Sequence, residues 1–72
     1  MTSKEAFGNL LREMRIERNL SQNKLSELSG LSRTFIARLE SGQRCPTIDS
    51  VFLLAKALEV RAGSLLDKIE KK

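Results

Sequence analysis

The run from Ser21 to Pro46, SQNKLSELSGLSRTFIARLESGQRCP, sets two short helices end to end with almost no chain between them. Ser21 and Ser32 stand where N-caps belong, because a serine hydroxyl accepts a first-turn N–H that has no carbonyl one turn back. Gly30 lies where the chain must turn sharply, and the positive φ expected there is open to glycine but resisted by a side chain. Gly42 stops the second of the two helices.

The second helix has two different faces. Arg33, Thr34, Ala37, Arg38 and Ser41 fall on the side expected to be exposed, while Leu31, Ile36 and Leu39 point the other way. A helix that is cationic at its start and trimmed to small residues beyond suits close approach to an anionic surface. The arrangement is a helix-turn-helix over about residues 21–41, and its usual partner is the major groove of double-stranded DNA. Net charge agrees, at +4 from 13 Lys and Arg against 9 Asp and Glu, but that sum is weak evidence alone. Position counts for more: Lys24, Arg33, Arg38 and Arg44 outnumber Glu27 and Glu40 within the run.

The remainder reads as helix throughout. Thr2-Ser3-Lys4-Glu5 has capping-box spacing and opens a helix whose apolar face is Phe7, Leu10, Leu11 and Met14, ending near Asn19. In the helix after Ser21, Leu25 and Leu28 are expected to face inward. Thr47 caps a fourth helix with Asp49 in its first turn, running to about Glu59 with Val51, Leu54, Ala55 and Leu58 on one face. A fifth is expected from about Ala62 to Ile69, with Glu70-Lys71-Lys72 as a frayed end. With 72 residues at 40% hydrophobic there is room for one core, so residues 1–72 are read as a single all-α domain of modest stability.

Composition removes several classes of function. The chain has no His, and no paired carboxylates or nucleophile–base set stand out, so no catalytic residues and no metal site are expected. One cysteine, Cys45, cannot close an internal disulfide, which favours a reducing cytosol. It is read as a loop thiol rather than a redox sensor or an intersubunit bridge. No signal peptide or membrane-length apolar run is present, so a prokaryotic cytoplasmic location is expected.

Ser21-Gln22, Leu25, Gly30, Leu31-Ser32, Ile36, Leu39-Glu40, Gly42, Pro46, Leu54-Ala55, Leu58 and Val60 together resemble the Cro/repressor family of the xenobiotic-response-element type. The resemblance covers nearly the whole chain and implies a five-helix, lambda-repressor-like DNA-binding domain. Arg33-Thr34-Phe35-Ile36 followed by Glu40-Ser41-Gly42 also resembles the controller proteins of restriction–modification systems, which are stand-alone domains that dimerise and bind operators. Two positions depart from the family pattern: Ser26 stands where Ala is usual, and Asn19 where Gly is frequent.

The resemblance assigns roles that the side-chain chemistry supports. Gln22, with Asn23 as its companion, would hold a phosphate at the start of the second helix. Ser32, Arg33 and Thr34 would enter the groove first, with Arg33 able to fork two donors onto guanine O6 and N7. Ala37 leaves room for close approach, Arg38 suits a base or a phosphate, and Gln43 and Arg44 suit backbone phosphates. Phe35 is expected to pack rather than touch DNA. The resemblance also implies a structural pair between Arg15 and Glu40, in which Glu40 orients the recognition helix through the first helix.

Val51-Phe52-Leu53-Leu54-Ala55 is apolar around the whole circumference of the fourth helix. Phe52 and Leu53 are therefore expected to stay partly exposed beside Leu65, Leu66 and Ile69, forming a dimerisation surface within about residues 47–69. The alternative is that the fifth helix covers them. The expected function is a non-enzymatic, homodimeric transcriptional regulator on a palindromic operator, with a restriction–modification controller foremost. A phage- or plasmid-type repressor and an antitoxin-like protein-interaction module are the alternatives. No cofactor or small-molecule ligand is indicated, and RNA polymerase is a further candidate partner.

Overall fold

The computed structural model describes residues 2–70, which form five helices and no strand. They are α1 (Ser3–Glu17), α2 (Gln22–Ser29), α3 (Arg33–Glu40), α4 (Ile48–Ala57) and α5 (Ala62–Glu70). Thr2, Ser21, Ser32 and Thr47 each cap a helix by accepting an N–H three residues on, from Glu5, Lys24, Phe35 and Ser50 at 3.0–3.2 Å. At α1 the box closes in both directions, since the Thr2 N–H donates to Glu5 Oε1 at 3.1 Å. That hydrogen bond, with a second from the Thr2 hydroxyl, holds the Glu5 carboxyl below its ordinary range.

Helices α1, α3 and α4 end by the same device. The residue two past the cap donates back to the carbonyl three before it: Leu20 to Arg15, Gln43 to Arg38, and Val60 to Ala55. The residue between is left-handed in each case, at φ 57 for Asn19, 79 for Gly42 and 58 for Glu59. Asn19 thus ends α1 as expected, but Glu59 lies outside α4, whose last helical residue is Ala57. Gly30 has φ 78 and ends α2 directly. Helix α5 includes Glu70, which was expected to fray; Lys71 and Lys72 lie outside the described residues.

α3 packs on α1 and α2, α4 on α2, and α5 on α1 and α4. The core joins Phe7, Leu10, Leu11 and Met14 to Leu25, Ile36, Leu39, Val51, Leu54, Ala55, Leu58 and Leu65, with Leu31 and Phe35 packed against it. Two expectations are corrected here. Leu28 is 51% exposed, because α2 buries Leu25 and Ser29 and so turns its inner face one residue past Leu28. Leu65 is 1% exposed: α5 buries it in the core and half-buries Ile69, so of the three α5 residues expected at the dimer surface only Leu66 faces out.

Candidate nucleic-acid interface

The turn between α2 and α3 is fixed by serines. The Ser26 hydroxyl donates to the Leu31 carbonyl, and the Leu31 N–H donates to Ser29 Oγ at 3.2 Å. The Ser26 hydroxyl thus spans the turn in a bond that an alanine at this position could not make. With Gly30 left-handed between them, these bonds set the direction in which α3 leaves α2.

Helix α3 presents one side only. Ile36 and Leu39 are fully buried, while Ser32, Arg33, Thr34, Arg38 and Ser41 are exposed and Ala37 is half-buried. Arg33 and Arg38 have no side-chain hydrogen bond or ion pair among the described residues, so both guanidiniums keep their full donor sets for a partner. Gln43 and Arg44 follow in the exposed loop after Gly42. Asn23 is exposed on α2.

A partly buried ion pair ties this helix to α1. Arg15 Nε donates to Glu40 Oε2 at 2.7 Å and Nη2 to Oε1 at 3.0 Å, with the two side chains only 13% and 5% exposed. The bonds to Glu40 raise the Arg15 pKa above its ordinary value despite the opposing effect of burial. The pair extends in two directions that the sequence did not disclose. Arg15 Nη1 donates to the Leu20 carbonyl at 2.8 Å, so the same guanidinium secures the chain entering α2. Gln22 Nε2 donates to Glu40 Oε1 at 3.2 Å, so the first residue of α2 is oriented by the last residue of α3.

Two further residues escaped the sequence reading. Gly8 is buried on α1, and a Cβ there would strike the carbonyl oxygen of Leu39 and come within 2.9 Å of that of Glu40. The backbones of α1 and α3 therefore touch beside the ion pair. The available signal was an unexplained glycine inside a helix, which is unfavourable unless a close approach requires it. The other is Arg12, which lines a cleft with Arg15, Gln22, Ala37, Glu40 and Ser41. Nothing in the chain around Arg12 marks it; only the packing of α3 against both α1 and α2 brings these residues together.

Away from this face, Phe52 is 60% exposed, with Ile48 one turn before it and with Leu53 and Leu66 also exposed. Helix α5 does not cover them. Cys45 is exposed and free in the loop before α4. Among the described residues there is no cluster of His, Cys, Asp and Glu fit to hold a metal, and no helix long and apolar enough to cross a membrane.

The helix-turn-helix family (HTH_3) matches residues 11–65. The chain is 40% identical over 68 residues to the control protein C.SmaI of Serratia marcescens, spanning 94% of this chain and 81% of that one. Its fold is similar to that of the restriction–modification controller protein C.AhdI from Aeromonas hydrophila, with a TM-score of 0.83 at 39% identity over 86% of this chain and 94% of that one. It is also similar to the controller protein C.Esp1396I, solved as a tetramer in complex with its natural 35 base-pair operator. There the TM-score is 0.88 at 28% identity over 99% of this chain and 93% of the other.

Proposed function

This chain belongs to the helix-turn-helix family, and on that premise we propose that it is a sequence-specific DNA-binding transcriptional regulator of the controller type. One observation carries the reading: the outward side of α3 offers two unpaired guanidiniums and a hydroxyl on a helix whose other side is fully buried. Arg33 and Thr34 lie in its first turn, the part of a recognition helix that meets base edges. Arg33 reads guanine through O6 and N7, and Thr34 meets a thymine methyl or a phosphate. Arg38 contacts a base or the backbone, while Gln22, Asn23, Gln43 and Arg44 hold phosphates on either side. The Arg15–Glu40–Gln22 network keeps α2 and α3 in register for both tasks.

The working unit is a homodimer. A lone recognition helix spans only a few base pairs, and Ile48, Phe52, Leu53 and Leu66 leave apolar surface that a second copy would cover. Leu65 has no part in that contact, and Ile69 only a marginal one. Two-fold pairing sets the recognition helices about 34 Å apart and calls for a palindromic operator. The controller proteins C.SmaI and C.AhdI are about two fifths identical to this chain over the aligned residues, which supports the same task here. The reading assigns no catalysis, locates the protein in the prokaryotic cytosol where its DNA is, and makes RNA polymerase at the regulated promoter the machinery it acts on.

The test is the affinity of the Arg33→Ala variant for an operator duplex and for a scrambled duplex of equal length. Loss of one bidentate guanine contact is expected to weaken operator binding by about 1–3 kcal/mol per half-site while changing scrambled-duplex binding far less. Equal losses on both duplexes would remove Arg33 from base reading.

A further inference from the structure

The cleft between α1, the start of α2 and the end of α3 has a volume of about 300 Å³. Two of its lining residues, Arg15 and Glu40, neutralise one another, and the three nitrogens of the Arg15 guanidinium are all engaged, two on Glu40 and one on the Leu20 carbonyl. Gln22 has one amide hydrogen committed to Glu40 and the other free. Ala37 contributes only a methyl, which keeps the cleft open. The remaining charge is Arg12, an exposed cation whose side chain has no partner among the described residues. A cleft with one uncompensated positive charge and a free amide N–H beside it selects an anion carrying several acceptor oxygens.

We infer that Arg12 holds a DNA backbone phosphate in this cleft, an anchor on α1 lying outside the helix-turn-helix. The inference rests on the DNA-binding reading above and adds to it a contact from a third helix. Arg12 neighbours the end of α3 at Ser41 and the start of α2 at Gln22, not the first turn of α3 where Arg33 stands. From there it positions the domain along the backbone and reads no base. Glu40, which orients Gln22 and pairs with Arg15, holds the cleft in shape.

The experiment compares the parent, Arg12→Gln, Arg12→Lys and Arg33→Ala on a labelled operator duplex and a scrambled duplex between 50 and 200 mM salt. Arg12 is exposed and unpartnered, so the variants should melt with the parent. Arg12→Gln is expected to weaken both duplexes by the same factor and to flatten the plot of log affinity against log salt by about 0.9 per protomer. That change makes the deficit roughly threefold larger at 50 mM than at 200 mM per contact. Arg12→Lys should restore the slope, because a point charge suffices for phosphate. An unchanged slope in Arg12→Gln, with Arg33→Ala still impaired, overturns the anchor and leaves the DNA reading intact. A loss confined to the operator duplex makes Arg12 a base reader and overturns the assignment equally. Failure of the parent to bind either duplex overturns the anchor and the DNA reading together.

Discussion

Gly8→Ala should be among the most damaging single substitutions in this chain, although alanine is the better helix former. In open helix, replacing Gly by Ala stabilises by up to about 1 kcal/mol. At Gly8 the new methyl would meet the carbonyl oxygens of Leu39 and Glu40, and those atoms belong to the backbone of the last turn of α3. Backbone cannot rotate aside as a flexible side chain can, so the helices must separate. We expect the upper end of the overpacking range, about 3 kcal/mol. A domain of this size draws on a total near 5 kcal/mol, and the melting temperature should fall by about 12–24 °C. Gly63→Ala is the internal control, since a Cβ there enters open space on α5 and its φ is ordinary. That variant should melt at or above the parent temperature. If Gly8→Ala did the same, the close crossing of α1 and α3 would be wrong.

Glu40→Ala should be comparably severe for a different reason. The pair is mostly shielded from solvent, and removing the carboxylate leaves Arg15 Nε and Nη2 without their acceptors. Breaking such a pair from one side typically costs about 3–5 kcal/mol, most of it the penalty of the stranded charge and not the worth of the pair. Gln22 loses its acceptor at the same time. Urea unfolding should show a lower midpoint at an unchanged slope, the sign of lost stability without a change in the surface exposed. Replacing both members, as Arg15→Met with Glu40→Leu, should recover much of the loss because no buried charge then remains. An unaltered midpoint for Glu40→Ala would mean that Arg15 finds water instead, and that the pair does not fasten α3 to α1.

Much of the fold was legible because its signals are local. Each of the four caps is a Ser or Thr bonded to an N–H three residues on, and Asn19, Gly30 and Gly42 take the left-handed conformations their types favour. The Arg15–Glu40 pair came from the family resemblance, and the structure gives it the two hydrogen bonds such a role requires. What failed was the choice of face in short helices. In the eight-residue α2, Leu25 and Leu28 suggest a stripe at three-residue spacing, yet the buried pair is Leu25 and Ser29 at four. Ser29 tolerates burial because its hydroxyl is used by the Leu31 N–H, a bond that periodicity cannot reveal. Adjacent leucines in α5 posed the same problem: Leu65 and Ile69 turn inward together and leave Leu66 outside.

The remaining omissions are products of tertiary geometry. Gly8 matters because of which backbone crosses it, and Arg12 because three helices meet around it. The extension of the ion pair to Gln22 has the same origin, since 18 residues separate Gln22 from Glu40. It changes the meaning of Gln22, which is both a surface group at the start of α2 and a partner of the buried pair. Substitutions at Glu40 should therefore disturb the orientation of Gln22, and with it the phosphate contact proposed for α2, as well as stability.

The measurement that bears most directly on the central claim is selection of bound duplexes from a random DNA library, followed by sequencing of the enriched pool. The account predicts a palindrome with half-sites about one helical turn apart and a guanine in each half-site at the position Arg33 reaches. Enrichment of a single half-site would keep DNA reading and remove the dimer. No enrichment even at low salt would contradict the account, and would mean that the outward side of α3 serves a protein partner instead.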